Sequence, residues 1–140
     1  VEPGFPLVKE LPPGDANVAF SQNGVWLVNF TQDECEFWDA RTFTKSRSFP
    51  RLRVERNPGA MDFSPDGRYF AYLKQRDQAE LLDAQTLEIV ATFELPNQGQ
   101  ARKLCFSPDG TYLALYATTQ LHLYHLPSMR AELAKLGLDW

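Results

Sequence analysis

Two histidines, His122 and His125, and a knot of carboxylates, Asp33, Glu34 and Glu36, are the residues of this 140-residue chain whose types could bind a metal or move protons. Metal ligands on one strand want a spacing of two, because successive strand residues point to opposite faces. His122 and His125 stand three apart in Leu121-His122-Leu123-Tyr124-His125, so they do not converge on an ion. The acidic knot would suit paired acid and base work if burial raised one pKa. Its place around a polar loop predicts solvated carboxylates instead. Asp66-Gly67 and Asp109-Gly110 lack the series of carboxylates that a calcium loop needs. Gly-x-Ser-x-Gly, the phosphate-binding Gly-x4-Gly-Lys loop, His-Glu-x-x-His and Cys-x-x-Cys are all absent from the sequence. The expectation is a chain with no catalytic residues, no metal and no cofactor.

The Asp-Gly pairs belong to a repeat. Phe63-Ser64-Pro65-Asp66-Gly67 returns unchanged at Phe106-Ser107-Pro108-Asp109-Gly110 and in altered form at Phe20-Ser21-Gln22-Asn23-Gly24, with both steps 43 residues. Pro presets φ and Asp or Asn before Gly supplies a tight reversal, so each copy is a turn between strands. The entering strands set Val18 and Phe20, Met61 and Phe63, Leu104 and Phe106 two apart. Those leaving are apolar almost throughout, for example Tyr69-Phe70-Ala71-Tyr72-Leu73, as in strands covered on both faces. Trp26, Trp38 and the three turn phenylalanines are therefore predicted to be largely buried. A period of 40 to 45 residues marks propeller blades.

Third strands follow at Cys35-Glu36-Phe37-Trp38-Asp39, Ala79-Glu80-Leu81-Leu82-Asp83 and Leu121 to His125, each with alternating polarity. Ahead of the first repeat, Leu7-Val8-Lys9-Glu10-Leu11 looks like the outer strand Ala91-Thr92-Phe93-Glu94-Leu95. At the other end the last repeat has no outer strand, and residues 128–136 carry Met129, Leu133 and Leu136 at helical spacing, between Pro127 and Gly137. Leu138 and Trp140 read as apolar anchors beyond that helix.

Trp38-Asp39-Ala40-Arg41-Thr42 and Leu82-Asp83-Ala84-Gln85-Thr86, with the turns upstream, resemble the WD-repeat β-propeller family over residues 7–126. The ending Arg130 to Trp140 resembles the close of bacterial-type WD-repeat proteins, some of them fused to kinase modules. Peptidase-associated and TolB-like propellers share the turn motif. The chain lacks the family's Gly-His dipeptides, and one blade of three keeps Trp-Asp. The resemblance implies an all-β fold of three four-stranded antiparallel blades and a short C-terminal helix. Blade 1 spans about 14–52, blade 2 about 53–96 and blade 3 about 97–126. Strand 7–11 of this or another chain would complete blade 3, and 127–140 would form helix and tail. Asp39 and Asp83 take the family's hydrogen-bonding bend position. Closed rings need about 4 to 8 blades, so two chains join as six, or further blades lie in a longer chain.

Composition agrees with one globular domain: 44% of residues are hydrophobic and 23% charged. A net charge of −4 argues against a nucleic-acid partner. No apolar run reaches the ~18 residues of a membrane span. The start, Val1-Glu2-Pro3-Gly4, has neither an initiator Met nor the features of a signal peptide, which fits a processed product or part of a longer protein. Cys35 and Cys105 are too few for a disulfide framework and read as buried free thiols, so a cytoplasmic location is expected. The sequon Asn29-Phe30-Thr31 falls in an apolar strand and is not expected to carry sugar.

One charge pattern emerges once the family topology is imposed. Loops from outer strand to next blade, and from second strand to third, would share a face carrying Arg53, Arg56, Lys74, Arg76, Arg102 and Lys103 against Glu55 and Asp77. A basic face on an acidic protein steers acidic partners. The family resemblance implies a non-enzymatic protein-interaction scaffold. The alternatives are a propeller attached to a peptidase, hydrolase or kinase module, and a purely structural self-assembling unit.

Overall fold

The computed structural model describes residues 4, 6–11, 17–51, 60–96, 100–138 and 140. Eleven strands precede one helix in the described chain. The first sheet runs β1 (Asn17–Phe20), β2 (Trp26–Phe30), β3 (Glu34–Asp39) and β4 (Lys45–Pro50) in spatial order. A second repeats the arrangement with β5 (Met61–Phe63), β6 (Tyr69–Gln75), β7 (Gln78–Asp83) and β8 (Ile89–Glu94). Third comes a three-stranded sheet of β9 (Ala101–Phe106), β10 (Tyr112–Ala117) and β11 (Leu121–His125). Every pairing is antiparallel. Each sheet is one blade of the predicted all-β fold. Residues 6–11 belong to no sheet, and Leu7 and Val8 are exposed.

The repeated turns are closed by their serines. Ser64 Oγ donates to Asp66 Oδ1 at 2.6 Å and accepts from Tyr69 N at 2.9 Å, while Asp66 Oδ1 also accepts from Arg68 N at 3.0 Å. Ser107, Asp109, Thr111 and Tyr112 repeat this network, and Ser21, Asn23, Val25 and Trp26 form its amide version. Gly24, Gly67 and Gly110 sit at φ of 70°, 74° and 73°, where a side chain would be strained. Hydrogen bonds from Ser107 and the Thr111 amide hold the Asp109 carboxyl down at about 2. At the later bends, Asp39 Oδ1 accepts from Arg41 N at 2.8 Å and Thr42 N at 2.9 Å, and Asp83 does the same for Gln85 and Thr86.

Two cores lie between the three sheets. Val28, Phe30, Cys35, Phe37 and Phe49 of blade 1 meet Phe63, Phe70, Tyr72, Leu82 and Leu87 of blade 2. On its other side, blade 2 sets Ala71, Leu73, Leu81 and Phe93 against Leu104, Phe106, Leu113 and Leu115 of blade 3. The central sheet is thus covered on both faces, as its uninterrupted apolar strands require. Two polar latches cross the cores. Trp26 Nε1 donates to Ala84 O at 2.6 Å, and Asp62 Oδ2 accepts from Phe106 N at 2.8 Å.

Burial raises the Asp62 pKa, although the Phe106 and Phe63 amides oppose it. An acid raised in this way favours the fold most below the unfolded value and loses that contribution as pH rises through the folded one. Asp62→Asn keeps an acceptor for Phe106 N without a charge to desolvate. It should match or exceed wild-type stability at pH 7, whereas Asp62→Ala should lose about 1 kcal/mol. Urea midpoints at pH 3 and 7 check the sign. A wild type that gains on Asp62→Asn as pH rises would overturn this account.

Several expectations are corrected. Phe20 is exposed although its counterparts Phe63 and Phe106 are buried, because among the described residues no sheet packs against the outer side of blade 1. Trp26 is half-buried and Trp38 buried. Cys105 is exposed, unlike the buried Cys35, since it lies on the side of blade 3 away from blade 2. The helix α1 spans Leu126–Lys135, two residues ahead of its predicted start. His125 is its N-cap, accepting from Ser128 N at 3.2 Å. Beyond it Trp140 packs on the core while Leu138 is exposed.

Candidate interaction faces

The basic loop face is partly assembled by backbone bonds between blades. Arg76 lies in the β6–β7 turn, and its carbonyl accepts from Ala101 N at 2.7 Å, bringing Arg102 beside it. Asp77 O accepts from Leu95 N at 2.8 Å, and Gln100 O accepts from Thr118 N at 3.2 Å. The β6–β7 turn, the approach to β9 and the β10–β11 turn therefore share one face. Arg76 and Arg102 are exposed there, and neither forms an ion pair among the described residues. Arg53 and Arg56, with Glu55, lie outside the described residues.

The other two cations have different roles. Lys74 Nζ donates to Glu80 Oε1 at 2.6 Å, and Tyr72 OH donates to Glu80 Oε2 at 2.5 Å. Its charge therefore answers a buried carboxylate. Burial and the Glu80 carboxylate together push the Tyr72 phenol far above its usual range. Lys103 instead lines a hollow of about 370 Å3 with Asn17, Met61, Cys105 and Tyr116. Those positions draw on β1, β5 and β9, the first strands of the three blades, with β10 contributing Tyr116.

The acidic knot divides in the same way. Asp33 is exposed, whereas Glu36 lies buried in β3, which corrects the expectation that the whole knot is solvated. Glu36 Oε2 accepts from Asn29 Nδ2 at 3.1 Å and Trp38 Nε1 at 3.0 Å, and its Oε1 takes Lys45 Nζ at 3.0 Å. Burial alone would raise the Glu36 pKa, but the bonds from Lys45, Trp38 and Asn29 outweigh it and hold the carboxyl below its ordinary value. An ionised carboxylate with satisfied oxygens is a structural strut, not a proton donor. Asn29, the sequon residue, is buried on this strut. The described residues contain no cluster of three or more His, Cys, Asp or Glu placed to hold a metal.

Arg51 was not singled out by sequence reasoning. Buried after β4, it donates from Nη1 to Thr31 O at 3.1 Å and stacks its guanidinium 4.8 Å from the Phe30 ring centre. Nothing in its neighbourhood in the chain distinguishes it from the exposed arginines. At the rim, Ile89 and Val90 of β8 face Met129 and Leu133 of α1 across an open apolar groove of about 640 Å3.

No protein-family model matches the chain, and no curated protein matches it. Among solved structures, it is similar to the β-propeller domain of Cps50 (Swd1) from Myceliophteria thermophila. The TM-score is 0.64 at 18% identity, covering 94% of this chain and 45% of that one. This chain therefore spans less than half the length of the propeller domain it resembles. No described helix is long and apolar enough to cross a membrane. Three consecutive antiparallel blades stacked through apolar cores, with that likeness, establish the fold as β-propeller.

Proposed function

We propose that the chain is part of a WD-repeat-like propeller that acts as a non-enzymatic protein-interaction scaffold, taking an acidic protein partner on its loop face. The observation that carries this reading is the Arg76–Ala101 backbone bond, which ties the β6–β7 turn to the start of β9, where Arg76 and Arg102 are both exposed and form no ion pair among the described residues. Such groups favour carboxylate-rich surfaces, since the planar fork binds carboxylates in bidentate fashion. Arg53, Arg56 and Lys103 extend the same basic surface in this proposal, and Lys74 contributes less because Glu80 offsets it. Free thiols at Cys35 and Cys105 suit a reducing compartment such as the cytoplasm. Three blades are short of the about 4 to 8 of a closed ring, so in this proposal the ring is completed by self-association or by additional blades of a longer chain.

The test is a pull-down from cell extract with wild type and with Arg76→Glu plus Arg102→Glu. The reversed protein should lose acidic partners captured at low salt, and wild type should lose them near 1 M salt, where the screening length falls to about 3 Å. Stability should change by under about 0.5 kcal/mol, because both side chains are exposed. The same captured proteins with both forms at low salt would overturn the reading.

A further inference from the structure

We propose that Asn23 is a site of spontaneous deamidation, held in check by the first turn of blade 1 and released when that turn opens. The asparagines of the chain precede Val18, Gly24, Phe30, Pro58 and Gln98, so Asn23-Gly24 is its one Asn-Gly step. Glycine carries no side chain to shield its backbone nitrogen, which is why this step is the reactive one. On losing its proton, Gly24 N bonds to the side-chain carbonyl carbon of Asn23. The bond from that carbon to Nδ2 breaks, and Nδ2 takes up a proton and leaves as ammonia. Water then opens the resulting cyclic imide at one of its two carbonyls. One opening gives aspartate, and the other gives isoaspartate, whose main chain runs through the former side chain. Base and water are the only reagents.

In the fold both partners of this attack are held elsewhere. Gly24 N donates its proton to Ser21 O at 3.0 Å, so base cannot take it while the turn is closed. Asn23 Oδ1 accepts from Ser21 Oγ at 2.7 Å and from Val25 N at 3.2 Å, which fixes the carboxamide. Its far side rests on the neighbouring blade, where a Cβ added to Gly67 would lie 3.3 Å from Asn23 Nδ2 and 3.5 Å from its Cγ. Turning Cγ onto Gly24 N therefore gives up two hydrogen bonds and a contact with blade 2. Reaction waits on local opening of the turn, as for any group protected by folded structure.

The other two turns show which product the fold accepts. Aspartate already stands at this place in both, and Asp66 Oδ1 and Asp109 Oδ1 each accept from a serine Oγ at 2.6 Å and a backbone amide at 3.0 Å. An aspartate at position 23 would keep the same bonds. It would also stop there, because imide closure from a carboxyl needs the protonated acid. Bonds from Ser107 and Thr111 hold the Asp109 carboxyl at about 2, and at Asp66 those from Ser64 and Arg68 outweigh a burial that acts to raise it. Isoaspartate instead adds a methylene to the main chain and removes the side-chain acceptor, so it does not fit. The site is independent of the scaffold reading, since this turn lies at the opposite end of the strands from Arg76.

The test is to age wild type, folded and in guanidinium chloride, in the same mildly alkaline buffer and to follow the tryptic peptide from Glu10 to Arg41 by mass spectrometry. That peptide carries Asn17, Asn23 and Asn29, so fragmentation locates the conversion and two asparagines serve as internal controls. Asn23 should convert about 10-fold or more faster in denaturant than in the fold, and ahead of both controls. Ser21→Ala, verified as folded by circular dichroism, should speed conversion in the fold about 2- to 10-fold, as expected for one lost hydrogen bond. Asn23→Asp should keep a urea midpoint at or above that of wild type.

Equal rates in the folded and unfolded chain would overturn the gating by the turn, as would a folded Ser21→Ala that converts no faster than wild type. Conversion of Asn23 no faster than that of Asn17 in denaturant would remove the site itself. A lowered midpoint for Asn23→Asp would overturn the fit of the aspartate product. Capture of acidic partners through Arg76 and Arg102 reads out separately from all of these.

Discussion

Phe70→Ala should lower the unfolding free energy by about 3–5 kcal/mol, the range for deleting a buried aromatic side chain from a packed core. Phe70 is fully buried at the centre of the blade 1–blade 2 core. Its ring centre lies 5.0 Å from that of Phe37, 4.8 Å from Phe63 and 6.0 Å from Tyr72. Three aromatic neighbours on a rigid sheet cannot collapse to fill the space, so the cavity term adds to the lost transfer energy. At roughly 3 °C per kcal/mol for a domain of this size, the melting temperature should fall about 10–15 °C. Phe20→Ala is the internal comparison, because that phenylalanine occupies a repeat turn but is exposed. At concentrations where the chain is single it should change stability by under about 1 kcal/mol. Urea unfolding of both variants decides the matter, and equal losses would show that the position in the repeat, not burial, sets the energetics.

The second large effect should come from Glu80→Ala, at about 2–4 kcal/mol. The carboxylate is buried and accepts from Tyr72 OH and Lys74 Nζ, so its removal strands a buried phenol and a partly buried ammonium. Lys74 is about one-third exposed and can turn to water, which keeps the loss below that of a fully buried pair. The same truncation in a Tyr72→Phe background should cost about 1 kcal/mol less, because no phenol is left unpaired. A double-mutant cycle by urea denaturation reads this coupling, and strictly additive losses would deny it.

Tyr72 also carries an alkaline signature. Burial, helped by Glu80, raises its pKa in the fold, so above about pH 10 the unfolded chain releases a proton that the folded chain retains. Stability therefore declines as pH rises through the unfolded value. Cys35, raised by burial despite nearby Arg51, adds a decline of the same sign from about pH 9. Tyr72→Phe should flatten the slope above pH 10, and an unchanged slope would exclude the phenol as its source.

The acidic limb has the opposite sign and a different origin. Glu36 sits below its ordinary pKa, so its stabilising contribution is complete above the unfolded value near 4.5 and is lost as pH falls below it. Lys45 is raised by the same pair of bonds, to Glu36 and Glu34, which describes the same interaction from the partner's side. The strut on the outer side of blade 1 thus weakens in acid, while Asp62 between blades 2 and 3 favours acid.

By itself the sequence determined the repeat, its period, the turns and nearly every strand. Those features rest on local chemistry: Pro, Asp and Gly in a tight reversal, apolar alternation in the strands, and Asp before a bend. His125 as a helix cap was also within reach, since a polar side chain two residues before Pro127 and three ahead of Ser128 is a start signal that depends only on neighbours in the chain. Tertiary structure alone decided which copies of a repeated residue are buried. Phe20, Phe63 and Phe106 are the same residue in the same turn, and only the two with a blade packed against them are covered. It likewise separated Glu36 from Asp33, and Arg76 and Arg102 from Lys74. Whether a charge is free depends on what the sheet register places opposite it, as Tyr72 opposite Glu80 shows. Burial and pairing are set by the neighbouring strand or blade, which lies tens of residues away in the chain, and that is why spacing alone could not reveal them.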